Sequence, residues 1–330
     1  MTTQTELTGR PPPGAAEKSD PPRPRRRPAR PRRDRVAALL ILPAFVLELL
    51  VHVAPVLLGV VISLLRLDQF NLRDWTAAPY TGLANYRTGL DPNGPLGSEL
   101  VASAGRTALY AALVVGISWC LGLFAAVLLA NPFRGRAFFQ ALFLVPFVLP
   151  AYATVLPWRF MFDRDTGVLN HLLVDDLHLV HGRPFWLIGG NAFWATVIVA
   201  VWRLWPFGYL VLAAALHTVP TEHYAAAAVD GAGAWQQFRR VTLPATRRAS
   251  TLVFVLMGLW SLTDFSTPYL LFDSTPPPSA TLLGNLIYRT AFADFDLGVA
   301  SAMNVLVASA LLVLAGCYAC RRLRKAAADV

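Results

Sequence analysis

The chain has 330 residues, 55% of them hydrophobic and only 15% charged, and a mean hydropathy of +0.47. This balance excludes an ordinary soluble core and points to a polytopic membrane protein. The net charge of +9 needs no nucleic-acid partner, because where the basic residues fall accounts for it.

The first 35 residues hold ten Arg or Lys among many prolines. Such a stretch can bury no core, so we expect a disordered tail that leans on anionic membrane lipid. The apolar run behind it is far longer than a signal h-region and no small-residue cleavage site follows, so no cleaved leader is expected. Six apolar runs then succeed one another, at roughly 36–65, 107–130, 138–161, 194–218, 250–272 and 298–320. Each reaches the length of about 20 residues that a helix needs to cross hydrocarbon. The expected fold is therefore an all-α membrane protein of six transmembrane helices spanning 36–325, with a short tail at 326–330 and both termini on one side.

Basic residues orient this set. Arg134 and Arg136 lie in the second connection, Arg239, Arg240, Arg247 and Arg248 in the fourth, and Arg321, Arg322, Arg324 and Lys325 at the end, all on the same side as the basic tail. The positive-inside rule makes that side cytoplasmic and the location a cell (inner) membrane. The opposite connections mix arginines with aspartates and show no basic excess.

Within the first run, Glu48 and His52 are four apart and share a helical face between Pro43 and Pro55, which imply a kinked helix. An ionisable pair at membrane depth is a functional candidate, although near the end of a long run it can simply reach the interface. The loop 66–106 carries turn-forming Pro, Gly and Asn and is too polar to span. The third run contains Pro146, Pro150 and Pro157, which free backbone carbonyls inside the membrane. Such breaks are tolerated beside helix neighbours or a water-lined cavity, so this helix is expected to border a translocation path.

The fourth run carries Trp202, Arg203, Trp205 and Tyr209, and the fifth Trp260, Ser261, Thr263, Asp264 and Tyr269. Aromatic faces beside hydroxyl, carboxylate and guanidinium groups suit a sugar ring, whose CH groups stack while its hydroxyls bond. The competing interpretation is an interfacial aromatic belt with a structural Arg–Asp pair between helices. Cys120, Cys317 and Cys320 all fall in expected spans, so no disulfide is expected, and no metal site or cofactor is called for.

Between the fourth and fifth runs lies a polar, glycine-broken insert, 219–245. Pro220 and Thr221 suit a helix start with Thr221 as cap and Glu222 in the first turn. An alanine-rich helix is expected to reach Val229 and to break at Asp230-Gly231. A second short helix follows, with Trp235, Phe238 and Val241 on one stripe, and Leu243-Pro244 ends it. Helix, sharp turn and helix make a compact knob, and an ordered knob in a short cytoplasmic loop suggests a docking surface for a soluble partner.

This insert resembles the EAA loop of binding-protein-dependent ABC transporter permeases: Ala226, Ala227, Gly231, Val241, Leu243 and Pro244 match at the required spacing, while Ala225 stands where the family has its leading acid. The resemblance covers roughly 36–325 and is closest to the carbohydrate-uptake class. Further stretches that carry it are Gly82-Leu-Ala-Asn85-Tyr86, Phe143-Leu-Val-Pro146-Phe-Val-Leu-Pro150, the run from Trp158 through Gly167 to Asn170, Tyr288-Arg-Thr-Ala-Phe292 and Leu297-Gly298-Val-Ala300. It implies a type I ABC importer subunit working with a second homologous permease, a cytoplasmic ATP-binding subunit dimer and an extracytoplasmic solute-binding protein. In such a subunit Glu222, Tyr224, Ala226, Ala227, Asp230, Gly231, Leu243 and Pro244 would couple to the ATPase. The substrate path would be lined by Phe147, Ala151, Ala200, Arg203, Leu204, Trp260, Ser261 and Asp264. Phe147 and Ala151 offer no polar group there, and Arg203 with Asp264 is more polar than a neutral oligosaccharide needs.

The chain carries no G-x-x-x-x-G-K-[ST] phosphate loop, and its only lysines are Lys18 and Lys325, so ATP hydrolysis is expected in a partner and not here. An ion-driven secondary transporter would want inverted repeats, which are not evident, and would leave the insert unexplained. A membrane-embedded enzyme would want a nucleophile or metal cluster, but the six histidines are scattered. Within ABC import, a sugar phosphate or a polyamine is the alternative cargo to sugar.

Overall fold

The structure is a computed structural model and describes residues 31–328, with side chains from 39 to 321. Most of the expected basic tail lies outside the described residues; helix is already present from Pro31.

The chain divides at Pro55 into two compact units. The first contains α1 (Pro31–Glu48), a π-helical turn (Leu49–Val53) and the start of α2 (Ala54–Ile62). The widened turn has a cause in the sequence. Pro55 has no N–H to give, and Ala54 ahead of it bonds back five residues to the Leu49 carbonyl. His52 Nδ1 lies 3.3 Å from the Glu48 carboxylate, so the two share a face and a contact.

The second unit continues with α3 (Ala84–Leu90), α4 (Pro95–Leu128), α5 (Arg136–Val148), α6 (Ala151–Met161), the single turn α7 (Val168–Asn170) and α8 (Asn191–His217). The insert contains α9 (Thr221–Val229), α10 (Ala234–Gln237) and α11 (Leu243–Ala245). The chain ends with α12 (Arg247–Leu262), α13 (Ser266–Leu271), α14 (Leu283–Phe292) and α15 (Leu297–Ala328). No strand longer than an isolated bridge occurs among the described residues.

Among the described residues, four helices are long and apolar enough to cross a membrane: Leu39–Ile62, Pro95–Leu128, Asn191–His217 and Leu297–Arg321. The expected third span is a pair, α5 and α6, bent by 93°. Pro150 stands at the bend, where it denies α6 a backbone donor and holds Leu149 extended at ψ 145°. The expected fifth span is also broken, into α12 of 16 residues and α13 of six. The second expected span starts earlier than read, because Pro95 opens α4 directly after Gly94, where a missing N–H costs nothing.

The core of the second unit is the crossing of α4 and α8, with α12 laid across it. Tyr110, Val114, Leu212, Val253 and Met257 are fully buried there. The backbones nearly touch: a Cβ on Gly122 would come within 2.6 Å of the Tyr209 nitrogen and 2.7 Å of the Gly208 carbonyl carbon. Small residues that let helices close in this way are how membrane helices gain packing without a hydrophobic driving force.

Two stretches far apart in sequence, 82–86 and 297–300, meet. Asn85 donates from one amide nitrogen to the carbonyls of Ser63 (2.9 Å) and Leu65 (2.8 Å), and Tyr86 meets the Ser63 hydroxyl at 2.6 Å. Gly298 closes over the same turn: its N–H donates to Leu67, and a Cβ there would fall 2.4 Å from the Leu65 carbonyl oxygen. The 158–170 stretch is likewise a scaffold. Asp163 receives the Thr166 N–H and hydroxyl, and Asn170 bridges Arg164, Pro184 and the Trp186 indole.

Candidate functional site

The break between α12 and α13 is organised by one carboxylate. Asp264 stops the first helix and, three residues before Thr267, accepts both the Thr267 N–H (3.1 Å) and its hydroxyl (2.6 Å). That satisfies a donor at the start of α13 which no preceding turn could serve. Two further donors come from other helices: the Tyr110 hydroxyl of α4 at 2.7 Å and the Arg203 guanidinium of α8 at 3.5 Å. The Asp264 side chain is 4% exposed and that of Arg203 18%. A buried carboxylate is tolerated only when paired and bonded, and this one is both.

Beside this node lies an aromatic group. Trp260 and Phe207 sit 4.8 Å apart at 63°, and Phe147 lies 5.6 Å from Phe207 and 6.3 Å from Trp260. Each such pair is worth about 0.5–1.5 kcal/mol beyond its burial. Trp260 keeps 39% of its surface exposed. Ala151 is the first residue of α6, just past the bend.

The structure thus brings together Phe147 and Trp260, and Arg203 and Asp264. It places the other expected path residues differently. Ala200, Leu204 and Ser261 are buried at 0%, 5% and 0% exposure within the helix core, and the Ser261 hydroxyl has no hydrogen-bond partner. Sequence reasoning missed Tyr110, Phe207 and Thr267. The Thr267 spacing was readable as a capping pattern, whereas Tyr110 lies 154 residues from its partner, beyond any local signal.

The insert is built almost wholly from its own neighbours. Pro220 is the N-cap of α9, in place of the expected Thr221, and no side chain caps that end. At the other end the Gly231 N–H donates to Ala228 (3.0 Å) and the Ala232 N–H to Ala227 (2.9 Å), the paired bonds of a Schellman motif. Gly231 has φ +78°, which a side chain adopts only with strain. The expected helix end at Leu243-Pro244 is not one. Leu243 bonds back five residues to Phe238, a π-helical turn (Phe238–Thr242) absorbs the donor missing at Pro244, and α11 carries on. Tyr224 ties the two halves, its hydroxyl 3.1 Å from that of Thr242.

Glu222, Ala226, Asp230 and Pro244 are exposed and Ala227 is half-buried. Exposure is 89% for Val229, 71% for Trp235 and 36% for Leu243. Trp235 stacks on Phe238 at 5.4 Å. Arg239, Arg240, Arg247 and Arg248, which follow in the insert and at the start of α12, are exposed as well.

Residues 118–324, more than half of the chain and including the insert, match the model of the binding-protein-dependent transport system inner membrane component. The chain belongs to that family. Among its relatives, the inner membrane ABC transporter permease protein YcjO of Escherichia coli (strain K12) is 36% identical over 82% of this chain and 88% of its own length. The trehalose/maltose transport system permease protein MalF of Thermococcus litoralis is 28% identical over 83% of this chain and 89% of its own. In fold, the chain matches the crystal structure of a bacterial ABC transporter involved in the import of the acidic polysaccharide alginate. That match has a TM-score of 0.71 at 19% identity and covers 88% of this chain and 96% of that one. This family member is accordingly an ABC transporter permease, a multi-pass inner-membrane transport component.

Proposed function

We propose that this permease forms, with a second homologous permease, the translocation path of a sugar importer. A solute-binding protein delivers the cargo from outside, and a separate cytoplasmic ATPase pair docks on residues 219–245. In this reading the chain crosses six times, with α5–α6 and α12–α13 as two broken crossings and both termini cytoplasmic. ATP closes the ATPases, the insert moves with them as a rigid body, and the helices reorient around Phe147, Trp260 and the Arg203–Asp264 pair.

The observation that carries this reading is the insert. It is self-capped at Gly231 and cross-tied at Tyr224, yet it leaves Val229 and Trp235 exposed, with the exposed Arg239 and Arg240 following in sequence. Large apolar side chains left exposed on a self-closed segment mark a surface for a partner. Sugar as cargo is supported by the name of the trehalose/maltose relative and by the half-open aromatic group.

The test is Gly231→Leu together with Trp260→Ala. Gly231→Leu should abolish ATPase co-purification and uptake, while Trp260→Ala should lower sugar uptake with assembly intact. Survival of both co-purification and uptake in Gly231→Leu sinks the docking role, and unchanged uptake in Trp260→Ala removes the aromatic group from the path.

A further inference from the structure

A cavity of about 510 Å³ lies where the ends of α4, α5 and α8 meet the insert. It is separate from the aromatic group. Tyr209, Ala213 and Leu216 line it from α8, spaced four and three apart on one helical face. Phe207, on the path side, is two residues before Tyr209 and so about 200° round the helix from it.

Its chemistry is one-sided. The polar lining includes Arg136, Gln140, His217, Tyr224 and Gln237, and no Asp or Glu contributes. Arg136 has no carboxylate partner among the described residues, and its Nε is buried without a hydrogen bond. Its Nη2 lies 3.1 Å from His217 Nε2. A guanidinium can only donate, so that histidine nitrogen must accept and leaves the positive charge uncompensated. The lining also includes apolar side chains, among them Val127, Leu216 and Phe238. A half-buried cation with no carboxylate partner, set in a chamber of small-molecule size, calls for an anion that carries an apolar or neutral body.

We infer that this cavity binds a phosphate ester, with Arg136 holding the phosphoryl oxygens and the body lying against the apolar lining. Such a ligand bridges α5 and α8 to α9 and α10, and so braces the insert against the spans. The source is either a soluble phosphorylated metabolite or the headgroup of an anionic phospholipid. The inference takes from the proposed function that this end of the bundle faces the cytoplasm and that the chain assembles with partner subunits.

The test uses the full chain, assembled with its transporter partners, in phosphatidylcholine nanodiscs. Both faces are open there, so a failure to bind speaks to the cavity and not to orientation. The probe is phenyl phosphate, with phenol as the uncharged control. Saturable binding of phenyl phosphate but not phenol is expected, together with slowed amide exchange across 221–229. Arg136→Gln should weaken binding about ten-fold or more, the worth of a charge-assisted bond. Arg136→Lys should retain part of the affinity, and Arg134→Gln, outside the cavity, should change nothing. Displacement of the probe when phosphatidylglycerol replaces part of the phosphatidylcholine assigns the site to lipid headgroups; no displacement assigns it to a soluble ester. The inference is overturned if neither phenyl phosphate nor phosphatidylglycerol binds, or if Arg136→Gln binds the probe as tightly as the native chain.

Discussion

Two helices in this molecule stop where the chain needs a corner, α9 at Gly231 and α12 at Asp264, and they are held in opposite ways. At Gly231 each bond that closes the helix end comes from within five residues. At Asp264 the carboxylate is served partly by Thr267, three residues on, and partly by Tyr110 and Arg203, which lie 154 and 61 residues away. The first corner can form as soon as its own segment does. The second exists only once α4, α8 and α12 are packed, so it reports on the whole bundle. A corner meant to be handed to a partner benefits from being self-sufficient, whereas a corner inside the bundle gains from being conditional on it.

Asp264→Ala is the strongest way to test this contrast. It removes the acceptor of three side chains and strands the Arg203 guanidinium in a packed setting. Breaking one side of a buried pair costs about 3–5 kcal/mol. A clear fall in the melting temperature of the detergent-solubilised complex is expected, with a smaller fall for Asp264→Asn, which keeps an acceptor oxygen. If Asp264→Ala melts with the native chain, the node is not what holds the break.

The same contrast explains what could be read before the structure. Gly231, the alanine helix and the basic flank were legible because turn chemistry and helix periodicity act over a few residues. The Leu243-Pro244 stop was misplaced, since a π-helical turn that spares the proline leaves no mark in hydrophobic pattern. Long apolar runs gave the helices at 95–128, 191–217 and 297–321 to within a turn or so, apart from the early start of the first. The prolines marked the third run as interrupted, but neither the size of its 93° bend nor the break at Asp264 was legible, because hydrophobic pattern does not report where a helix changes direction. Of the candidate path, the charges were visible but not their satisfaction. Tyr110 looks like any other aromatic residue of α4 until its hydroxyl is found against Asp264.

A smaller effect sharpens the other side of the comparison. Tyr224→Phe deletes only the hydroxyl that meets Thr242 at 3.1 Å and keeps the ring. A single hydrogen bond of this kind contributes about 1 kcal/mol. Because the insert is otherwise closed by its own backbone, the global melting temperature should hardly move. Amide exchange in 221–229 should instead quicken, by up to about five-fold for that free energy. A global destabilisation comparable to that of Asp264→Ala would show that the insert depends on the bundle after all.

The smallest expected effect belongs to a third corner, at Asp163, which is local like Gly231 but charged like Asp264. Bonds from the Thr166 N–H, the Thr166 hydroxyl and the Asp165 N–H hold its carboxyl below the usual carboxylate range. A carboxylate whose folded pKa is depressed stabilises the fold fully above its unfolded value and loses that contribution as pH falls through the folded one. Asp163 is fully exposed, so solvent screening keeps the contribution slight. Asp163→Ala should therefore melt slightly below the native chain at neutral pH, and the gap should narrow in acid, once the native carboxyl is protonated. A gap that stays constant across that range would mean that the turn needs the side chain's shape and not its charge. It would then resemble the Gly231 corner, where geometry alone sets the stop.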